Sequence, residues 1–329
     1  MTIEEVQSYI GTIENDPSLF EEKNFEARID VIDFIGFQVI DQLEELLQTT
    51  DRPECPDRPD QPDRPDRSDQ PDRPDQPDLR DQLILLRDRA EKIKTELIEA
   101  DSALFQRLQA AIRTGKYTGK EFKDLVKEYV DIYADDAGPA VEIGYDNLDI
   151  FINGLSHVRS MPEQTKTLEP DMVFYQKTPA RIVFELAEKY PFSKEDIFFD
   201  LGSGLGQVAI LVNLLAGITT RGVEFEPAFC DYARDCAADL HLPDVTFINV
   251  DARTADYSKG TIFFMYTPFR GEMLQAVLAV LQKEALHRKI TILTYGPCTA
   301  DVALQSWLHA AAPADDNIYK LHVFTSVFP

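Results

Sequence analysis

The chain has 329 residues and is 44% hydrophobic, with 20 Phe and 12 Tyr, enough for a sizeable core and enough to exclude wholesale disorder. Its 33 basic against 58 acidic side chains leave a formal charge of −25, which repels phosphate backbones and disfavours unassisted DNA or RNA binding. No apolar run approaches the roughly 18 residues of a membrane span, and the N-terminus lacks the basic and apolar regions of a signal peptide. Cys55, Cys230, Cys236 and Cys298 form no C-x-x-C pair and the five histidines are scattered, so no metal site is expected and a reducing cytoplasm is. A prior of about 150 residues per domain suggests two domains. The charge is uneven: residues 1–169 carry 20 basic and 39 acidic side chains (−19), against 13 and 19 (−6) in 170–329.

In chain order, Phe25, Ile29, Ile32, Val39, Leu43 and Leu46 recur at helical steps. Residues 51–77 are nine triplets, seven of them Asp-Arg-Pro or Asp-Gln-Pro, where proline blocks both helix and sheet, so an exposed, extended loop is expected. Leu86, Ala90, Ile93, Leu97, Leu104, Leu108 and Ala111 resume the helical pattern, which makes a hairpin of two helices around the tract. A third helix is expected from Thr118, with Glu121 completing a capping box, and a fourth within 141–158. Residues 1–165 thus read as an acidic, all-helical domain.

From 166 to 329 the texture is α/β. Thr178-Pro179 reads as a helix start, with Thr as N-cap and Pro at the first helical position. Six short apolar runs follow, at 197–201, 221–224, 245–250, 261–266, 290–295 and 320–328, separated by helical stretches. Strand, helix, strand at this spacing implies a twisted, mainly parallel sheet of six or seven strands, the last run being divisible into a hairpin.

The informative segment is Asp200-Leu-Gly-Ser-Gly-Leu-Gly-Gln207, directly after the first strand. Alternate glycines let the backbone turn tightly and approach a ligand. A dinucleotide loop reads G-x-G-x-x-G and places pyrophosphate on the helix N-terminus. Here the third glycine comes one residue early, and Asp200 would repel a pyrophosphate but suits a ligand bearing an amino group and a sulfonium. Glu224 ends the second strand, where a carboxylate can accept both hydroxyls of a ribose, and Asp251 follows the third, within reach of an adenine amino group. Three acids on one rim of the sheet make an ordered set.

These residues resemble class I S-adenosylmethionine-dependent methyltransferases over nearly all of 170–329. More narrowly, Tyr175-Gln-Lys-Thr178-Pro, then FFDLGSGLGQVAI and GVEFEP, resemble the non-SET histone lysine methyltransferases of the disruptor-of-telomeric-silencing type. The resemblance implies a Rossmann-like, seven-stranded, mainly parallel methyltransferase sheet, with S-adenosyl-L-methionine as cofactor. It assigns Asp200, Gly202 and Gly204 to the methionine part of that cofactor, Glu224 to the ribose and Asp251 to the adenine. Tyr175 and Thr178 would close over the methionine carboxylate, and Gln207 matches the glutamine after the glycine loop. The sequence departs at the fourth strand: Met265-Tyr-Thr-Pro-Phe269 keeps the Pro-aromatic ending but lacks the carboxamide that orients an amine in related enzymes. Tyr266 and Phe269 are therefore the candidates for the acceptor side. The methyl acceptor, a protein side chain or a small-molecule amine or hydroxyl, is left open. The alternative is a weak or inactive methyltransferase-fold scaffold that binds the cofactor and a partner protein.

Overall fold

The computed structural model describes residues 1–50, 78–133, 144–156, 160–312 and 317–327; the triplet tract at 51–77 lies outside the described residues. Contacts divide the chain into two compact units, Met1–Leu104 and Phe105–Pro329. Among the described residues no helix is long and apolar enough to cross a membrane.

The first unit is helical. Helix α1 (Ile3–Glu14) begins at a capping box absent from the sequence reading: Glu5 N donates to Thr2 Oγ1 at 3.1 Å, and Thr2 N to Glu5 Oε2 at 2.7 Å. The helix expected across Phe25–Leu46 is three pieces. Helix α2 (Phe25–Phe34) passes through a π-helical stretch, Ile35–Ile40, into α3 (Asp41–Thr50). The wider turn keeps Ile35, Val39 and Leu43 on the buried side, where they meet Ile10, Leu86 and Leu97. Helix α4 (Leu79–Ile112) supplies the latter two. Arg28, 1% exposed, ties the unit together. It donates to Asp101 Oδ1 at 2.6 Å and to the carbonyls of Leu19 and Glu21 at 2.7 and 2.9 Å.

In the second unit the Phe105–Ile112 end of α4 meets α6 (Asn147–Ser156), where Gln109 Nε2 donates to Leu155 O at 3.2 Å and Phe105 packs on Phe151; α5 (Lys120–Lys127) and α7 (Ala180–Lys189) complete its helices before the sheet. Two expected caps are not the ones formed. Helix α5 starts after Gly119, which takes a φ of 64° and donates its N–H to Leu214 O at 2.7 Å, so Thr118 caps nothing. Helix α7 starts after Pro179, and its first amide, Ala180 N, donates to Asp149 Oδ1 of α6 at 2.9 Å. A buried carboxylate from a distant helix replaces the Thr178 hydroxyl expected there.

The sheet has seven strands in the order β3-β2-β1-β4-β5-β7-β6, all parallel except β7. They are β1 (Ile197–Leu201), β2 (Thr219–Glu224), β3 (Val245–Asn249), β4 (Ile262–Met265), β5 (Thr291–Thr294), β6 (Leu308–Ala310) and β7 (His322–Ser326). The seventh strand is thus β6, which precedes the last apolar run instead of arising by its division. Helices α8 (Gln207–Ala216), α9 (Pro227–Asp239), α10 (Gly271–Ala285) and the short α11 (Cys298–Ala303) make the connections. Strands β1 and β4 are buried along almost their whole length, as Phe198, Phe199, Phe263 and Phe264 show at 0 or 1% exposure. That is the burial required of central strands covered on both faces. Chain order reverses between β1 and β4, and at such a switch point the carboxyl ends of the strands open into a crevice.

Candidate active site

The glycine loop after β1 is shaped by close approach. Gly202 has a φ of 74° and Gly204 a φ of 50°, a left-handed region costly for any residue with a β-carbon. A β-carbon at Gly202 would lie 2.2 Å from Pro268 Cβ, and one at Gly204 would lie 2.2 Å from the Tyr175 ring. The loop therefore sits between the turn after β4 on one side and the Tyr175 segment on the other.

Two carboxylates face each other across the ends of β1 and β2. Asp200 is 4% exposed; burial first, then the nearby Glu224 charge, pushes its pKa up to about 8. Glu224 is also raised, by burial, against the backbone donors that hold it. Its Oε2 accepts Gly204 N at 2.7 Å and its Oε1 accepts Glu226 N at 2.8 Å. A carboxylate offers about four lone-pair sites, and Glu224 lines the cleft. Asp251 lies two residues beyond β3, and Arg253 holds its carboxyl below the usual carboxylate range. Arg253 Nε donates to both Asp251 oxygens at 3.0 Å, and its Nη2 reaches both oxygens of Glu169 at 2.9 Å.

The cleft beside these groups has a volume of about 470 Å³. That falls within the range of about 300–1,000 Å³ typical of small-molecule and cofactor sites. Gly202, Glu224, Tyr175, Tyr266 and Phe269 line it. Asp200, Thr178 and Gln207 line a small recess at the same loop, again with Tyr175 and Gly202. Gln207 is buried and donates to Thr178 O at 3.3 Å, which joins the helix after the loop to the Tyr175–Thr178 segment. The Ser203 hydroxyl is buried and has no hydrogen-bond partner among the described residues. The flanks of Asp251, Val250 and Ala252, line the cleft.

Sequence reading missed the roof of this cleft. Residues 160–176 form an irregular strap that contributes Leu168, Met172, Val173 and Phe174 to the lining. Its pins are specific. Glu226 accepts Thr165 N at 2.9 Å and Lys166 N at 2.7 Å, and Glu169 takes the free edge of Arg253. Asp171 accepts from Glu272 N at the start of α10 at 2.9 Å, and Val173 N donates to Pro268 O at 3.1 Å. No periodicity marks such a segment, because its order comes from contacts distant in sequence. Phe225 was also missed, although its position directly after Glu224 was a usable signal; Lys166 Nζ lies 4.0 Å from its ring centroid.

The acceptor candidates, Tyr266 and Phe269, lie in the turn after β4. Tyr266 and Tyr295 pack with ring centroids 5.2 Å apart, Tyr295 being fully buried. Phe269, 3% exposed, belongs to the core cluster under α10 and also lines the cleft, so it serves packing and the wall together.

Residues 170–260 match the sequence model of a family described as "Histone methylation protein DOT1". No curated protein matches the chain. Similar solved structures include an RNA methyltransferase from Salinibacter ruber in complex with S-adenosyl-L-homocysteine. It is 22% identical, with a TM-score of 0.38, over 47% of this chain and 94% of that one. A precorrin-6y C5,15-methyltransferase from Geobacter metallireducens is 16% identical, with a TM-score of 0.35, over 46% and 90% of the two chains. A human methyltransferase 10 domain containing protein is 15% identical, with a TM-score of 0.33, over 45% and 79%. The strand order, the glycine loop and the family match agree: the second unit has the fold of a class I S-adenosylmethionine-dependent methyltransferase, and its cofactor-binding half resembles the DOT1 histone methylation family.

Proposed function

We propose that the chain is an active S-adenosyl-L-methionine-dependent methyltransferase whose cofactor lies across the ends of β1, β2 and β3. The observation that carries this reading is the Asp200–Glu224 pair, a buried and a half-buried carboxylate beside a glycine loop, with Glu224 already oriented by Gly204 N and Glu226 N. A buried acid beside a second, half-buried one costs stability without a cation, and such costs are retained at sites that meet a ligand of complementary charge. The residues fit the group. The orphaned Ser203 hydroxyl and the Glu224 carboxylate on the cleft wall call for polar ligand atoms, and the backbone at Gly202 and Gly204 leaves no room for a side chain.

In this arrangement Glu224 accepts the ribose hydroxyls and Asp251, steadied by Arg253, takes the adenine amino hydrogen. Asp200, Gly202 and Gly204 face the methionine portion, with Gln207 behind them. Tyr175 and Thr178 close over the carboxylate end, and Phe225 offers its ring beside the adenosine. When bound, the cofactor supplies an activated methyl group for in-line displacement, so the protein contributes orientation and exclusion of water. The strap at 160–176 supplies that exclusion. Tyr266 and Phe269 form the wall toward the acceptor, for which an amine is the better match to an acidic protein of this charge. Calorimetry with S-adenosylhomocysteine tests the cofactor assignment, with NAD as the competitor that would overturn it. Transfer of labelled methyl groups from S-adenosylmethionine into a cell extract tests activity. Binding without any transfer would favour a scaffold role instead.

A further inference from the structure

Helix α7 begins against the local rule. Thr178-Pro179 carries the signal for Thr as N-cap and Pro at the first helical position, in which the Thr hydroxyl would accept Ala180 N. Instead Pro179 keeps an extended ψ of 134° outside the helix, and Ala180 N donates to Asp149 Oδ1 at 2.9 Å. Asp149 is 2% exposed and serves a second helix start as well. Its Oδ2 accepts Asp146 N at 3.2 Å, while Asp146 Oδ1 accepts Leu148 N at 2.9 Å. That reciprocal pair is a variant of the capping box, at the head of α6.

The stretch before α7 is held residue by residue. Tyr145 OH donates to Lys177 O at 2.5 Å, and Gln207 Nε2 donates to Thr178 O at 3.3 Å. Lys177 Nζ donates to Asn153 Oδ1 of α6, and Arg181 Nε donates to Asp146 Oδ2. Helix α6 is itself anchored, with Leu148, Phe151, Ile152 and Leu155 buried. The segment it grips also forms part of the cofactor recess: Lys177 and Thr178 line it with Asp200, Gly202 and Ser203, and Thr178 is 7% exposed. Asp149 lines neither that recess nor the cleft.

We infer that Asp149 is a positioning residue for the cofactor: by taking Ala180 N it releases the Thr178 hydroxyl from capping and keeps it for the ligand in the recess. The inference rests on the cofactor reading above, in which Thr178 meets the methionine carboxylate. Asp149 and Thr178 compete for the same donor. With Asp149 in place, Pro179 stays extended and the hydroxyl is available. Without it the local rule returns, Pro179 enters the helix, and Thr178 turns to cap Ala180 N. Asp149 therefore acts through Thr178 and touches no ligand.

A double-mutant cycle, read by calorimetry with S-adenosylhomocysteine, separates this role from a merely structural one. Thr178→Ala is expected to weaken binding about tenfold, through the lost bond to the ligand carboxylate. Asp149→Ala is expected to weaken it by a similar factor, because a Thr178 hydroxyl turned to Ala180 N no longer meets the ligand. The double variant should then bind within about twofold of Thr178→Ala alone, since nothing is left for Asp149 to position. Asp149→Asn keeps an oxygen for Ala180 N and should stay within about threefold of wild type. Wild-type affinity in folded Asp149→Ala, or losses that multiply in the double variant, would overturn the inference. So would a Thr178→Ala protein that binds like wild type, or a loss of about tenfold in folded Asp149→Asn. A wild type that does not bind S-adenosylhomocysteine would instead overturn the cofactor reading. If Asp149→Ala does not fold, a crystal structure of the wild-type complex with S-adenosylhomocysteine decides the matter. Thr178 Oγ1 on the ligand, with Ala180 N still on Asp149, is expected there; Thr178 Oγ1 on Ala180 N would overturn the inference.

Discussion

Replacing Glu224 probes the centre of the site. Its carboxylate spans backbone donors, with Oε2 on Gly204 N and Oε1 on Glu226 N, and the residue lines the cleft. Glu224→Gln keeps the shape but has a single oxygen acceptor; its NH₂ then faces one of the two N–H groups and repels it. Glu224→Ala strands both. For the ligand, each ribose hydroxyl loses a bond to a charged acceptor, worth about 1.5–3 kcal/mol. One such bond alone corresponds to about a tenfold loss of affinity. We expect S-adenosylhomocysteine to bind at least about tenfold more weakly to Glu224→Ala, with Glu224→Gln between it and wild type. The free protein behaves differently, because removing the Glu224 charge relieves Asp200 of a like neighbour, and this offsets part of the cost of the stranded amides. The affinity should therefore fall more than the melting midpoint. Calorimetry gives the first and differential scanning fluorimetry the second. An unchanged dissociation constant in a folded Glu224→Ala protein would refute the ribose assignment and the reasoning behind it.

Four further outcomes are expected. Asp200 has a folded pKa near 8, far above the ordinary carboxyl value, so the folded chain keeps a proton that the unfolded chain releases. Its contribution favours folding at low pH and is lost as pH rises from about 4 to about 8, by up to roughly tenfold in the folding equilibrium per unit. Wild type should thus lose stability relative to Asp200→Asn over that window in pH-dependent melts, and a parallel pH profile would contradict the shift. Binding of cationic S-adenosylmethionine should strengthen as pH rises toward about 8 in wild type, more steeply than in Asp200→Asn, as isothermal titration at several pH values would show. In the first unit, Arg28→Met leaves Asp101 buried without its partner and should cost about 3–5 kcal/mol in urea unfolding, whereas Arg28→Met with Asp101→Leu should recover much of that loss. Gly204→Ala drives a β-carbon into the Tyr175 ring at positive φ, and should abolish measurable S-adenosylhomocysteine binding; wild-type affinity would show that Tyr175 is free to move away.

The sequence by itself determined the sheet and its chemistry-bearing rim. Strands β1 to β5 were legible because buried central strands must be short apolar runs, and Ile197–Leu201 lies where its pattern put it. Asp200, Gly202, Gly204 and Glu224 were legible because a tight loop between strand and helix restricts which residues fit. The Thr2–Glu5 capping box was equally legible and was passed over. Tertiary structure decided what depends on residues far apart in the chain. It gave α7 its cap from Asp149, interrupted the helix after Phe34 with a π-helical stretch, and made β6 from a segment of three residues. It also set the strap against Glu226, Arg253 and α10, and bent Thr267 into a conformation that its own side chain resists. Local propensity encodes periods and turns, whereas a buried carboxylate, an irregular roof or a strained turn is stable only when neighbours from several elements close around it at once.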